Sequence, residues 1–121
     1  MRSNKAKGAD GERLAQTYLV KQGLRILSKN FTTDIGEIDL IATDETTLIF
    51  VEVKTRFNTD YGYPAEAVDF RKQKKISLVA SQYIKKFGLY DVEARFDVVE
   101  VYLSDLSINH IVNAFDGCLN Y

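Results

Sequence analysis

The segment GEIDLIATDETTLIFVEVKTR, residues 36–56, constrains the fold more than any other part of this chain. Two runs rich in Ile, Leu, Val and Phe flank the short polar stretch DET at residues 44–46, a pattern that predicts a β-hairpin. Charged side chains nevertheless interrupt both predicted strands, at Asp39, Glu52 and Lys54. A hairpin that served only as core would carry apolar residues at those positions, so the charges require a separate explanation.

Because side chains alternate along a strand, the hairpin has two predicted faces. One face is entirely apolar: Ile38, Leu40, Ala42, Ile49, Val51 and Val53. The other face carries the charges: Glu37, Asp39, Ile41, Thr43, Leu48, Phe50, Glu52 and Lys54. If the turn is centred between residues 45 and 46, Asp39 lies opposite Glu52, and Glu37 lies opposite Lys54. A turn one residue longer or shorter would shift this register.

Two carboxylates placed opposite each other on neighbouring strands lie roughly 5 Å apart at Cβ, and at an effective dielectric constant of ~20 they repel by about 3 kcal/mol. A divalent cation removes this cost, since Mg²⁺ and Mn²⁺ bind carboxylate and carbonyl oxygens. We therefore predict that Asp39, Glu52 and the backbone carbonyl of Val53 bind Mg²⁺ or Mn²⁺. Lys54 would then activate a water molecule or stabilise charge on a phosphate. The alternative is a set of salt bridges on a solvent-facing side of the hairpin.

Two helices are predicted outside the hairpin. The first covers residues 8–22 and ends at Gly23, a candidate C-terminal cap. The second begins after Asp69, a candidate N-cap, and ends at Gly88. Its apolar stripe is the clearest periodic pattern in the chain: Ile76, Val79, Ala80, Tyr83, Ile84 and Phe87.

Three further strands are predicted, at residues 24–31, 94–103 and 107–115. The resulting order, α-β-β-β-α-β-β, predicts an α/β fold in which a mixed central sheet of about five strands is flanked by helices. A chain of 121 residues can bury one substantial core and not two, so residues 1–121 are predicted to form a single domain.

Further polar residues adjoin the predicted site. Glu12 lies at the border of the buried face of the first helix, where it is either a third carboxylate ligand or a glutamate favoured by the helix dipole. Arg56 continues the charged hairpin face and is a candidate phosphate ligand. Tyr61 and Tyr63 flank a glycine in the following loop, a setting that suits base stacking, although loop packing is the more common role.

The second helix opens with the basic cluster RKQKK, residues 71–75. Lys72 and Gln73 extend its inward face towards the sheet, where they would either contact a substrate phosphate or form a solvated helix end. Lys74 and Lys75 are candidates for contact with a nucleic-acid backbone, or simple surface residues. The net charge is −1, from 16 basic and 17 acidic residues, so a nucleic-acid site must be local and cannot rely on bulk attraction.

Composition excludes several other functions. One histidine, His110, and one cysteine, Cys118, provide neither an intramolecular disulfide nor a Cys/His zinc cluster, and both are expected to be structural. Asp97 is expected to form a salt bridge with a neighbouring arginine. The first residues lack the apolar segment of a signal peptide, and no apolar run is long enough to span a bilayer, so a cytoplasmic protein without a membrane partner is predicted.

Five segments together resemble the YraN family of small bacterial proteins: GERLAQTYL (11–19), GEIDLIA (36–42), FVEVKTR (50–56), RFDVVEV (95–101) and HIVNAF (110–115). That family is related to the archaeal Holliday-junction resolvases within the PD-(D/E)xK nuclease superfamily. The segments keep their order over nearly the whole chain, so the resemblance is much more specific than the hairpin motif alone.

The resemblance implies a restriction-endonuclease-like core and Mg²⁺-dependent hydrolysis of phosphodiester bonds. Asp39 matches the motif aspartate, with Ile38 in place of the motif proline. Glu52 and Lys54 match the (D/E)xK element, and Glu12 matches the first-helix glutamate of the resolvase branch.

The predicted function is a metal-dependent DNA endonuclease, selective for branched or other structured DNA, whose products carry a 5′-phosphate as in that superfamily. The alternative is a catalytically silent nucleic-acid-binding or adaptor module, which the near-neutral charge favours slightly. A third hypothesis is a purely structural domain. A twofold homodimer would suit a two-stranded target.

Overall fold

The computed structural model describes residues 4–58, 68–117 and 119, with side chains from residue 8 onward. Its elements are α1 (Asn4–Lys21), β1 (Arg25–Thr32), β2 (Glu37–Thr43), β3 (Thr47–Arg56), α2 (Phe70–Phe87), β4 (Glu93–Tyr102) and β5 (Ser107–Phe115). The predicted order α-β-β-β-α-β-β is confirmed. The first helix begins at Asn4 instead of Gly8, and the strands outside the hairpin begin and end within one residue of the predicted positions.

The five strands form one mixed sheet in the order β1-β2-β3-β4-β5. The first three strands are antiparallel neighbours, β3 and β4 run parallel, and β5 returns antiparallel to β4. A parallel pair needs a crossover connection, and α2 lies in the chain between β3 and β4. The predicted α/β fold with a mixed central sheet is therefore confirmed.

Each face of the sheet packs against one helix. One buried cluster joins α1 to β2, β3 and β4: Ala15, Leu19, Leu40, Ala42, Ile49, Val51, Val99 and Val101. A second cluster joins α2 to the same strands: Ile38, Ile41, Leu48, Phe50, Ile76, Val79, Ala80, Tyr83, Ile84 and Phe96. Burial on both faces explains why the hairpin is so strongly apolar. Within the described residues, neither helix carries an apolar stretch long enough to cross a membrane.

The hairpin register is confirmed over its central part. Leu40 pairs with Val51, Ile41 with Phe50, Ala42 with Ile49, and Thr43 with Leu48. The predicted placement of Ile38 beside Leu40 is wrong, because Ile38 packs in the α2 cluster whereas Leu40 packs in the α1 cluster. Strict alternation therefore breaks at Asp39. On the neighbouring strand, Asn30 lies between the partners of Ile38 and Leu40 and has a positive φ of 51°, so β1 is irregular at the same point.

The two ends of α2 are formed by the predicted caps. The Asp69 side chain accepts a hydrogen bond from the backbone N–H of Lys72 at 2.9 Å. Gly88 adopts the left-handed conformation, with φ 65°, and its N–H caps the last turn. Because the first turn is fixed in this way, the side chains of residues 72 and 73 project from a defined position next to the sheet.

Asp97 is fully buried on β4 and is held by a network across the sheet. Arg95 donates two hydrogen bonds to its carboxylate, at 3.0 and 3.2 Å, which confirms the predicted salt bridge. The backbone N–H of Asn113 donates a third at 2.9 Å, and His110 Nε2 lies 2.8 Å from Oδ2. Although burial opposes it, the hydrogen bonds from His110 and Arg95 lower the pKa of Asp97.

The histidine of this network also connects α1 to β5. A carboxylate can only accept, so His110 Nε2 donates to Asp97, and Nδ1 shares a hydrogen bond with the Tyr18 hydroxyl at 3.1 Å. Tyr18→Phe removes that hydroxyl and keeps the ring. We expect the free energy of unfolding to fall by about 1 kcal/mol in urea titrations. An unchanged value would mean that the hydroxyl does not tie the helix to the sheet.

Candidate active site

The site forms where β2 and β3 separate. Their ladder ends at Leu40 and Val51, so the predicted direct pairings of Asp39 with Glu52 and of Glu37 with Lys54 lie beyond it and are not formed. Instead, Asp39 Oδ2 accepts a hydrogen bond from the backbone N–H of Val53 at 2.8 Å. The side chain of Asp39 therefore bridges the ends of the two strands.

Three carboxylates from two elements meet at this end of the sheet. Carboxylate oxygens of Glu12 on α1 and of Glu37 and Asp39 on β2 all lie within 4.8 Å of one another. The structure thus brings Glu12 to Asp39, and it adds Glu37, which sequence reasoning placed opposite Lys54 and did not assign as a ligand. The signal that pointed to Glu37 was its position two residues before Asp39, since alternate residues of a strand share a face.

Gly11 allows α1 to approach the sheet closely beside Glu12. A Cβ atom at position 11 would overlap Oγ1 of Thr55 and lie 2.9 Å from its Cβ. Only glycine permits this distance between the helix and the end of β3. The close approach of the helix is what brings a carboxylate of α1 to those of β2.

The acidic residues strongly affect the protonation of Asp39. Burial and, after it, the negative charge of Glu52 together raise the pKa of this carboxyl to about 7. Glu12 and Glu37 act in the same direction, whereas the hydrogen bond from Val53 opposes the rise. A bound cation would stabilise the charged form of this carboxyl and lower its pKa.

Glu52 has a cationic partner from the opposite helix. Its Oε1 lies 2.7 Å from Nζ of Lys72, and its side chain is only 9% exposed. Burial lowers the pKa of Lys72, but the hydrogen bonds to Glu52 and Lys54 and the negative charges of Glu52 and Asp39 together outweigh it, so the pKa of the lysine is raised. Glu52 is not part of the group formed by Glu12, Glu37 and Asp39, although its charge acts on Asp39.

Lys54 lies next to the same charges. Burial lowers the pKa of its ammonium group, and the neighbouring Lys72 lowers it further, whereas Glu52 and Asp39 act in the opposite direction. A lysine with a lowered pKa gives up its proton more readily than an exposed lysine. It can therefore take part in proton transfer as well as stabilise negative charge.

The other predicted site residues are placed as follows. Arg56 Nε lies 3.5 Å from Oε2 of the buried Glu100, and Gln73 donates to the backbone carbonyl of Val68 at 3.0 Å. Lys74 and Lys75 are exposed on α2. Tyr61 and Tyr63, the predicted stacking residues, lie outside the described residues.

The donor set at this site fits a hard divalent cation. Mg²⁺ and Mn²⁺ take oxygen ligands, and the three clustered carboxylates offer only oxygen. Glu12, Glu37 and Asp39 would hold the ion, with Glu52 beside them once it is released from Lys72. The raised pKa of Asp39 agrees with this arrangement, because burial and the neighbouring carboxylates disfavour its charged form, which a cation would stabilise.

Comparison with known proteins gives a consistent result. Residues 11–101 match the model of the uncharacterised protein family UPF0102. A UPF0102 protein of Clostridioides difficile is 55% identical over 113 residues, which cover 93% of this chain and 99% of that protein. UPF0102 proteins of Trichlorobacter lovleyi and Caldanaerobacter subterraneus are 50% and 48% identical, with 95% and 93% of this chain covered and 94% and 97% of theirs. The chain therefore belongs to UPF0102, the family whose YraN-type members the sequence segments resemble.

Proposed function

We propose that this protein is a metal-dependent DNA endonuclease that hydrolyses phosphodiester bonds. The observation that carries the proposal is the meeting of Glu12, Glu37 and Asp39 within 4.8 Å, beside a buried glutamate and a lysine of lowered pKa. A structural domain gains no stability from grouped carboxylates whose charges raise the pKa of Asp39. A phosphodiesterase needs such a group of acids to bind a divalent ion next to a cationic side chain.

The residues of the site divide the chemistry between them. When bound, Mg²⁺ or Mn²⁺ supplies Lewis-acid activation of the phosphate and of the attacking water. Glu12, Glu37 and Asp39 would hold and orient that ion, with Glu52 beside them once it is released from Lys72. Lys54 stabilises the negative charge that develops on the phosphate and, through its lowered pKa, accepts or returns a proton.

DNA would approach along the side of the site formed by β3 and the start of α2. Arg56 and the exposed Lys74 and Lys75 would contact phosphates, which gives little sequence preference. Tyr61 and Tyr63 are predicted to stack on bases. Phosphate contacts follow the path of the DNA backbone and not its sequence. Such contacts therefore suit the recognition of branched DNA by a homodimer.

One observation favours the catalytically silent adaptor as a second candidate. Nζ of Lys72 lies 2.7 Å from Oε1 of Glu52 and neutralises its charge. If that ion pair persists when divalent cations are present, the carboxylate is not a ligand and the site binds nucleic acid without cleaving it. The two candidates differ in whether cleavage and metal binding occur together.

Cleavage of a DNA panel tests the proposal. Labelled linear, flapped and four-way DNA are incubated with the protein in Mn²⁺, in Mg²⁺ and in EDTA. We expect metal-dependent cleavage of at least one substrate, and we expect Lys54→Met to reduce the rate by at least about 100-fold, because the variant keeps the alkyl chain and loses the charge. Lys85→Met, an exposed lysine at the other end of α2, is the matched control and should cleave normally.

Two results would count against the nuclease. Cleavage that survives in Lys54→Met and also in Glu52→Ala would come from a contaminating enzyme. DNA binding without cleavage of any substrate, together with no change of melting temperature in Mn²⁺, would favour the adaptor.

A further inference from the structure

Glu100 is a fully buried carboxylate at the edge of the candidate site. It lies on β4 as the register partner of Lys54 on β3. Asn109 on β5 donates a hydrogen bond to Oε1 at 2.8 Å, but Oε2 has no hydrogen-bond partner. A buried carboxylate with one unsatisfied oxygen is costly, so its retention in the core requires a reason.

Among the residues that the structure describes, Arg56 forms an ion pair with that oxygen. Its Nε lies 3.5 Å from Oε2, while the arginine side chain remains 33% exposed. The pair is too long for a hydrogen bond, and neither atom has another partner. Glu100 therefore attracts the guanidinium without using its donors fully. Among the described residues none bonds to the two terminal nitrogens, whose four N–H groups can bind another anion.

The position of Arg56 indicates what that anion is. Glu52, Lys54 and Arg56 alternate along β3 and share a face, so Arg56 lies about 6.6 Å beyond Lys54 along the strand. If Lys54 lies at the scissile phosphate, the guanidinium reaches a neighbouring phosphate of the same backbone. A planar guanidinium binds a phosphate through two parallel hydrogen bonds, but only if its orientation is fixed.

We propose that Glu100 is a positioning residue that orients Arg56 to bind a DNA phosphate next to the scissile one. This inference rests on the proposed nuclease function, because it takes Lys54 to mark the scissile position. Asn109 fixes the carboxylate, the carboxylate fixes the guanidinium, and the guanidinium contacts the substrate.

Coupling between the two residues is the test. DNA affinity is measured by fluorescence anisotropy in Ca²⁺ at several salt concentrations for Glu100→Gln, Arg56→Gln and the double variant. Arg56→Gln should weaken binding by about tenfold and reduce the slope of log Kd against log salt by about one. Glu100→Gln should weaken binding by roughly three- to tenfold with a similar loss of slope, and the double variant should match Arg56→Gln alone.

The design separates positioning from a structural role. If Glu100 only stabilises the fold, Glu100→Gln lowers the melting temperature and leaves the salt slope unchanged. Alternatively, its effect on DNA affinity adds to that of Arg56→Gln. Either result overturns the inference. Glu93 is an exposed glutamate on the same strand, so Glu93→Gln is the matched control. It should change neither the DNA affinity nor the salt slope.

Two further measurements complete the test. If Glu100→Gln does not fold, Asn109→Ala takes its place, and an additive effect with Arg56→Gln would overturn the inference. The rise in melting temperature with Mn²⁺ should persist in all these variants. If the melting temperature of the wild type does not rise with Mn²⁺, the proposed nuclease is rejected. The binding measurements would still decide whether Glu100 acts through Arg56.

Discussion

Asp39→Asn should abolish DNA cleavage and the response to metal together. The asparagine keeps an oxygen that can accept the Val53 N–H but loses the charge that a cation needs. We expect cleavage to fall by about 10³-fold or more. In the wild type, Mn²⁺ at about 100 times its dissociation constant should add roughly 2.7 kcal/mol of stability, and this gain should be absent in the variant. Melting curves with and without Mn²⁺ measure this gain in stability.

The same variant should be more stable than the wild type when no metal is present at pH 8. Burial, together with Glu52, raises the pKa of Asp39 from 3.8 to about 7 in the native state. Between these values the native protein holds a proton that the unfolded chain releases, so wild-type stability falls as the pH rises through this window. At about 1.4 kcal/mol per pKa unit, the full cost at pH 8 is on the order of 4 kcal/mol. Asparagine does not ionise and avoids this cost.

Urea titrations in EDTA at pH 5 and pH 8 measure the effect, and Asp44→Asn is the control of opposite sign. Hydrogen bonds from the backbone of Thr47 and Thr46 lower the pKa of the exposed Asp44, so its contribution to stability is present above the unfolded pKa and is lost as the pH falls. Asp44→Asn should therefore be less stable than the wild type at pH 8. An Asp39→Asn protein that gains nothing at pH 8, or that still responds to Mn²⁺, would contradict our assignment of the site.

The parts of the fold that sequence predicts well depend on local patterns. The apolar stripe of α2 and its two caps follow from helical periodicity and from the conformations that Asp69 and Gly88 favour. The central register of the hairpin follows from a polar turn between two apolar runs, because a shift by one residue would turn every buried side chain towards the opposite face. These elements need no information about distant parts of the chain.

The details of the site depend on tertiary contacts and were predicted less completely. The hairpin pattern predicts that Asp39 pairs with Glu52, but the strands separate one pair earlier. Glu37, predicted to lie opposite Lys54, instead lies beside Asp39. The ion pair between Glu52 and Lys72 depends on where the start of α2 lies over the sheet, which periodicity within the helix does not determine. Composition likewise gives no sign that Glu100 lies beside Arg56.

Gly11→Ala should destabilise the protein and weaken its response to metal. In an unconstrained helix, replacing glycine by alanine stabilises by about 1 kcal/mol. At position 11, however, the new methyl group overlaps Thr55 Oγ1, and α1 must move away from β3. Overpacking of this kind costs about 1–3 kcal/mol. The movement also separates the neighbouring Glu12 from Asp39, so the concentration of Mn²⁺ needed for half of the rise in melting temperature should increase by about tenfold.

Gly8→Ala, in the same helix, is the matched control, because no described atom lies within 4 Å of a Cβ at that position. It should stabilise the protein by about 0.5–1 kcal/mol and leave the Mn²⁺ response unchanged. Adding Thr55→Ala to Gly11→Ala removes Oγ1 and Cγ2 of Thr55. The double variant should regain part of the lost stability and part of the lost affinity for Mn²⁺. If both glycine variants have the same stability and the same Mn²⁺ response, the close approach of α1 to β3 is not what positions Glu12, and the helix does not contribute a ligand through this contact.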